Sequence, residues 1–213
     1  MAKNKSAAGQ VRIIAGQWRS RRLPIHDLEG LRPTTDRVRE TLFNWLNGEL
    51  TGARILDCFG GSGALALEAL SRYGSYARVF ELQKTAVTQL QQNLQTLKCQ
   101  QADVISGDAL ALLKQGLNSS KAKNDPEPNK GFDIVFIDPP FRKNLAQQAV
   151  TLLAESSFAG QKWLNPDALI YVETEVELKG FVVPSGWQPL KEKKAGQVSY
   201  KLFRYVKEGE ASA

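Results

Sequence analysis

Ala53-Arg54-Ile55-Leu56-Asp57-Cys58-Phe59-Gly60-Gly61-Ser62-Gly63 decides the fold, because an apolar run ends on an acid and passes straight into a glycine-rich turn. Ala53 to Cys58 reads as a buried strand, and the segment beyond the turn is helical to about Tyr73. The alternation then repeats. Ala77 to Leu82 is a second strand and Lys84 to Lys98 a second helix, in which Val87, Leu90, Leu94 and Leu97 keep helical spacing. Ala102 to Ser106 is a third strand and Asp108 to Gln115 a short helix. Phe132 to Ile137 is a continuous apolar run that delivers Asp138 at its end, Asn144 to Ala154 is helical, and Ala168 to Glu173 is a fifth strand. Gln188 to Lys193 and Val198 to Tyr205 around Ala195-Gly196 form an antiparallel hairpin that closes the sheet edge. This pattern implies an α/β, Rossmann-like fold: a mostly parallel seven-stranded sheet with helices on both faces.

Upstream, residues 11 to 26 read as two extended segments around Ala15-Gly16-Gln17, a small N-terminal β-hairpin. Pro33 ends this arm. Thr34 or Thr35 can cap the next helix, whose stripe is Val38, Leu42, Trp45 and Leu46, with Arg37, Arg39 and Glu40 off it. Gly116 to Lys130 is polar, holds Pro126 and Pro128, and reads as a mobile surface insertion. The expected division is a basic arm over 1–31, a catalytic domain over 32–207 and a tail over 208–213.

The chain has 213 residues, 42% hydrophobic, enough for a real core. Cys58 and Cys99 match no zinc or redox spacing, and His26 is the sole histidine, so no metal is expected. Met1 to Gln10 has no signal-peptide core, and no stretch of about twenty uncharged apolar residues is present. A cytoplasmic protein with no membrane contact is the expectation. Its net charge of +6 is concentrated: residues 1 to 39 hold nine Lys or Arg against three acids, and the remaining nineteen of each sign cancel. Lys3 and Lys5 read as a solvated leader. From Val11 to Leu23, however, arginines interleave with Ile13, Ile14, Trp18 and Leu23 as in an ordered ribbon that faces a polyanion.

In an open α/β sheet, ligands bind outside the carboxyl ends of the strands, and this chain's acids fall there. Glycines at 60, 61 and 63 let backbone approach a ligand at a helix N-terminus. Alone the turn also fits a nicotinamide dinucleotide, with Glu81 at a ribose-binding distance in sequence. Asp57 is placed to meet an ammonium group and Asp108 to accept from an adenine amine; helix capping or turn formation would explain either acid equally simply. Asp138-Pro139-Pro140-Phe141 is more specific. Two prolines stiffen the loop and remove donors, leaving the Asp138 carboxylate and the Pro139 carbonyl as acceptors for the two hydrogens of an amine. An exocyclic base amine is a poor nucleophile, and such hydrogen bonds favour its pyramidal form, while Phe141 stacks on the base.

With these residues in view, the chain resembles the class I S-adenosylmethionine-dependent methyltransferases, and within them the bacterial RsmD family of 16S rRNA guanine-N2 methyltransferases. The resemblance runs through Val11 to Gly16, Arg32 to Glu40, Asp57 to Gly63, Glu81, Gly107-Asp108 and Asp138 to Phe141. It implies that the Asp57 to Gly63 turn, including Phe59, holds the methionine part of the cofactor. Glu81, with Leu82 beside it, would take the ribose, and Asp108, with Ala109, the adenine. Asp138, Pro139, Pro140 and Phe141 would position guanine N2. Arg12, Arg19, Arg21 and Arg22 would grip ribosomal RNA, naked or in an assembled small subunit, with the enzyme acting as a monomer. Three rivals stay open on sequence: a DNA adenine-N6 or cytosine-N4 amino-methyltransferase, a nicotinamide dehydrogenase, and non-enzymatic nucleic-acid binding. A C5-cytosine enzyme is disfavoured, since no cysteine lies near the loop.

Overall fold

The computed structural model describes residues 9–25, 36–117, 122–141, 143–155 and 163–206. Capping by Thr34 or Thr35, the Arg32 to Thr35 part of the family segment, and the 208–213 tail lie outside them. Short strands β1 (Gln10–Arg12) and β2 (Arg22–Pro24) pair antiparallel, and α1 (Asp36–Trp45) follows. The repeating units are β3 (Arg54–Asp57), α2 (Ala64–Ser71), β4 (Tyr76–Glu81), α3 (Lys84–Thr96), β5 (Ala102–Ser106), α4 (Ala109–Gln115), β6 (Phe132–Ile137) and α5 (Leu145–Glu155). The chain closes with β7 (Leu164–Glu175), β8 (Trp187–Ala195) and β9 (Val198–Tyr205). These elements lie within a few residues of their sequence-derived positions.

The seven strands run in the order β5-β4-β3-β6-β7-β9-β8, parallel from β5 to β7 and antiparallel where β9 meets β7 and β8. β3 and β6 are central and buried on both faces, as their unbroken apolar runs require. Alternation splits their side chains between two layers. Ile55, Val79, Phe136 and Tyr171 enter one, with α1, α2, α3 and the hairpin residues Val11, Ile13, Trp18 and Leu23. Leu56, Phe80, Ile137 and Val172 enter the other, with α4 and α5. Among the described residues no helix is long and apolar enough to cross a membrane, and no group of three potential metal ligands occurs.

The small N-terminal hairpin is present: its paired strands have three residues each, and the loop between them, which contains Ala15-Gly16-Gln17, lies along α2, where the Gln17 amide donates to the Ser71 carbonyl at 2.8 Å. Two expectations change. Arg39, expected off the apolar stripe, is buried, because α1 is covered by the hairpin as well as by the sheet. Its Nη2 donates to the Arg12 carbonyl at 2.9 Å and to Asp36 Oδ1 at 2.6 Å. The described part of the 116–130 insertion, finally, is anchored. Asp125 has a fully covered side chain and bridges Arg54 Nη1 at 2.8 Å and Arg78 Nη2 at 2.7 Å. Asp103 accepts from the Lys123 and Asn124 amides at 3.2 and 2.9 Å.

The reason lies in the strands. β3 begins on Arg54 and β4 carries Arg78, both buried, and the Arg54 guanidinium lies over the Tyr76 and Phe132 rings at 5.0 and 5.2 Å. Two buried cations need an anion, and the insertion supplies it. Burial works to raise the Asp125 pKa, but hydrogen bonds from Arg54, the Glu127 amide and Arg78 outweigh it and hold the carboxyl below its ordinary value. Asp125→Ala strands both guanidiniums. It is expected to lower stability by about 3–5 kcal/mol, read as a fall in the urea unfolding midpoint at constant slope.

Candidate functional site

A row of carboxylates crosses the carboxyl edge of the sheet. Ile55, Val79, Phe136 and Tyr171 face the same core layer, so the residues two further on, Asp57, Glu81, Asp138 and Glu173, share that face. In sheet order they read Glu81 on β4, Asp57 on β3, Asp138 just after β6 and Glu173 on β7. Asp57 pairs in register with Val79 and Phe136, which sets it two residues deeper than its neighbours.

Depth determines the chemistry of Asp57. It is 2% exposed, and burial pushes its pKa up from 3.8 to about 7, against the pull of the Phe59 amide and with the negative charges of Asp138 and Glu81 adding to the rise. The Phe59 amide donates to Oδ1 at 3.2 Å, and the Ala66 amide in the first turn of α2 also stabilises the anion. Glu81 accepts from the Gly61 amide at Oε2 and the Gln83 amide at Oε1, each at 2.7 Å. It thereby ties the glycine turn to the end of β4, which is the partner its burial demanded.

Two glycines of the turn also face tight packing. A Cβ on Gly60 would stand 2.4 Å from Val79 Cγ1, and one on Gly63, whose φ is 76°, would stand 2.3 Å from Leu90 Cδ2. Close packing of the turn against β4 and α3, and the positive φ of Gly63, favour glycine at these positions in addition to any approach of a ligand. Asp108 is the N-cap of α4, its Oδ1 accepting from the Ala111 amide at 2.8 Å, so the simpler reading of that acid holds while its position at the β5 end keeps it on the row's edge. Ala109 is buried and Phe59 half-buried, whereas Leu82 is 65% exposed at the same edge. In the loop expected to be catalytic, Asp138 and Phe141 are half-buried, Pro139 is buried and Pro140 exposed. Cys58 is fully buried and burial pushes its thiol well above its ordinary value, which keeps it neutral and unreactive.

Arg12, Arg19, Arg21 and Arg22 are all exposed on the hairpin, Arg12 pairing with Asp36 at 3.3 Å. The hairpin is held by a residue that sequence reasoning missed. Glu68, fully buried in α2, accepts from the Ile14 amide at 2.6 Å, the Ala15 amide at 3.0 Å and Arg72 Nε at 2.8 Å. Ser71 adds to the clamp, accepting from the Trp18 amide and donating to the Ala15 carbonyl. A lone acid in the apolar run Ala64 to Leu70 was the available signal. Also missed were Tyr171 and Glu173, joined by a 2.6 Å hydrogen bond from the phenol to Oε1.

The family model described as Conserved hypothetical protein 95 matches residues 11–204. Ribosomal RNA small subunit methyltransferase D of Escherichia coli K12 is 48% identical over 99% of this chain and 98% of its own. The protein of that name from Haemophilus influenzae is 51% identical over 93% of this chain and 96% of its own. The solved structure of a methyltransferase candidate, yhhF of Escherichia coli, superposes with a TM-score of 0.80 at 45% identity, covering 93% of this chain and 99% of that one.

The raised pKa of Asp57 has a definite sign. Below 3.8 the acid is protonated folded and unfolded alike; between 3.8 and about 7 the folded state keeps a proton that the unfolded chain has released; above 7 a buried charge remains. The ligand-free protein therefore loses stability as pH rises through this window. Asp57→Asn is expected to gain melting temperature relative to the parent between pH 5 and pH 8, measured by scanning calorimetry, and a difference that does not grow with pH would refute the assignment.

Proposed function

We propose, from the premise that the chain belongs to the RsmD family, whose model is described as Conserved hypothetical protein 95, that it transfers a methyl group from S-adenosylmethionine to the exocyclic N2 of a guanine in small-subunit ribosomal RNA. The observation that carries the reading is the placement of Asp138 in line with Asp57 and Glu81, at the end of the central strand β6.

The residues fit the cofactor. Asp57 is a buried acid crowded by two other negative charges, and an ammonium group beside it would relieve that repulsion and favour its ionised form. Glu81, fixed by two amides, keeps lone pairs for ribose hydroxyls, and exposed Leu82 offers apolar surface to the adenine, with Asp108 at its rim. When bound, the cofactor supplies a methyl group on a cationic sulfonium. Asp138 and the Pro139 carbonyl then accept the two N2 hydrogens, orient the lone pair and leave it free for in-line attack, while Phe141 stacks on the base. The proton leaves the methylated nitrogen afterwards, to Asp138 or to water.

Exposed arginines on the clamped hairpin grip RNA phosphates, and the target base is drawn out of its stack. The proposed acting unit is one chain in the cytoplasm, with naked RNA or an assembled subunit as partner. A DNA amino-methyltransferase is not favoured, since the near-full-length relatives are named for ribosomal RNA.

Nucleoside mass spectrometry after incubation with ribosomal RNA, small subunits and DNA tests the reading, with N2-methylguanosine expected from the first two only. Asp138→Ala should lower turnover by about 10²–10³-fold while cofactor affinity by titration calorimetry stays within a few-fold; retained turnover would sink the role. Joint replacement of Arg19, Arg21 and Arg22 by Ala should weaken RNA binding and flatten its dependence on salt, by about one unit of slope for each phosphate that is no longer neutralised, as measured by filter binding.

A further inference from the structure

The row of carboxylates has a fourth member that the proposed chemistry leaves unused. Glu173 is 4% exposed and lies on β7, beside β6. Phe136 pairs with Tyr171 and Ile137 with Val172, so the next step of the register sets Asp138 opposite Glu173, about 4.8 Å away at the backbone. Both are on the face that carries Phe136 and Tyr171. Glu173 is also held in place: the Tyr171 phenol donates to its Oε1, and the Tyr171 ring packs edge-on against Phe136 and is tilted against Tyr200. Tyr171 feels the negative charges of both Glu173 and Asp138, which places the two acids around one phenol. Two carboxylates therefore stand side by side at this edge, and an ionised carboxylate is an acceptor only.

Guanine supplies a reason. Its Watson–Crick edge presents two kinds of donor side by side, the N2 amine and the ring N1–H, whereas adenine and 2-aminopurine carry a bare acceptor at N1. An ionised carboxylate only accepts. We propose that Glu173 is the specificity-determining residue for the base, accepting the guanine N1–H while Asp138 accepts from the N2 amine. The assignment rests on the function proposed above and sharpens it, because it makes the neighbouring acid the group that refuses bases whose N1 is an acceptor.

The test compares RNA carrying guanine or 2-aminopurine at the acceptor position; 2-aminopurine keeps the exocyclic amine and lacks N1–H. Wild-type protein should prefer guanine by about 10²-fold or more in kcat/KM. Glu173→Gln, whose amide can donate as well as accept, should narrow this ratio to below about tenfold, with cofactor affinity unchanged as the check on folding. Tyr171→Phe keeps the carboxylate and should lower turnover on guanine without changing the preference. A Glu173→Gln protein that loses activity equally on both bases has lost only a structural support, and that result overturns the proposal. Should the variant not fold, the substrate arm decides alone: wild-type protein that methylates 2-aminopurine as fast as guanine also overturns it. Absence of N2-methylation on guanine by the wild type would instead refute the function and take this inference with it.

Discussion

A strand buried on both faces still has to end, and the polar groups at its ends must be paired inside the protein. This sheet solves the problem with opposite charges at its two edges. Where the central strands begin, Arg54 and Arg78 are buried against Asp125 and aromatic rings. Where they finish, Asp57, Glu81, Asp138 and Glu173 form a row of acids, in which backbone amides hold Asp57 and Glu81 and a phenol donates to Glu173. At the first edge one carboxylate, Asp125, binds both guanidiniums. The second gathers four acids, where burial first and then the charges of Asp138 and Glu81 push Asp57 up to about pKa 7, and it is suited to ligands that bring positive charge or hydrogen-bond donors. A cationic cofactor and an amine on a base are both of that kind.

Position of the hairpin arm depends on a second buried acid. Glu68 holds the backbone of the hairpin through the Ile14 and Ala15 amides, and the helix that carries it begins at Gly63, next to the Asp57 turn. Because α2 has eight residues, about 12 Å long, the arginine-bearing arm and the carboxyl edge of the sheet are fixed to one rigid element. Apolar hairpin residues Val11, Ile13, Trp18 and Leu23 join the same core layer as α2 and reinforce the link. The arm is thus a part of the core surface that happens to carry positive charge.

Much of the fold was legible because periodicity is local. The apolar runs from Ala53 and Phe132, and the helical spacing of Val87, Leu90 and Leu94, each occupy one segment and place β3, β6 and α3 within a few residues. The acids at strand ends were legible for the same reason, since a topological rule about parallel sheets turns their sequence positions into one edge. Much of what escaped notice had its partner far away. Glu68 looks like an ordinary helix residue until the hairpin 53 and 54 residues upstream folds over it. Arg39 looks solvated until the same hairpin covers it, and the polar 122–130 segment looks like a free loop until two buried guanidiniums are seen to need Asp125.

The sequence by itself determined the alternation of strands and helices, the acids at the strand ends and the Asp138 to Phe141 loop, all of them properties of short windows. Tertiary structure decided which acids are neighbours, how deep each one lies and what pairs with each buried charge. Those depend on strand order and register: only the pairing of β3 with both β4 and β6 sets Asp57 low between two anions, and only the pairing of β6 with β7 brings Glu173 beside Asp138. Charges interact through space, and no window of sequence contains that distance.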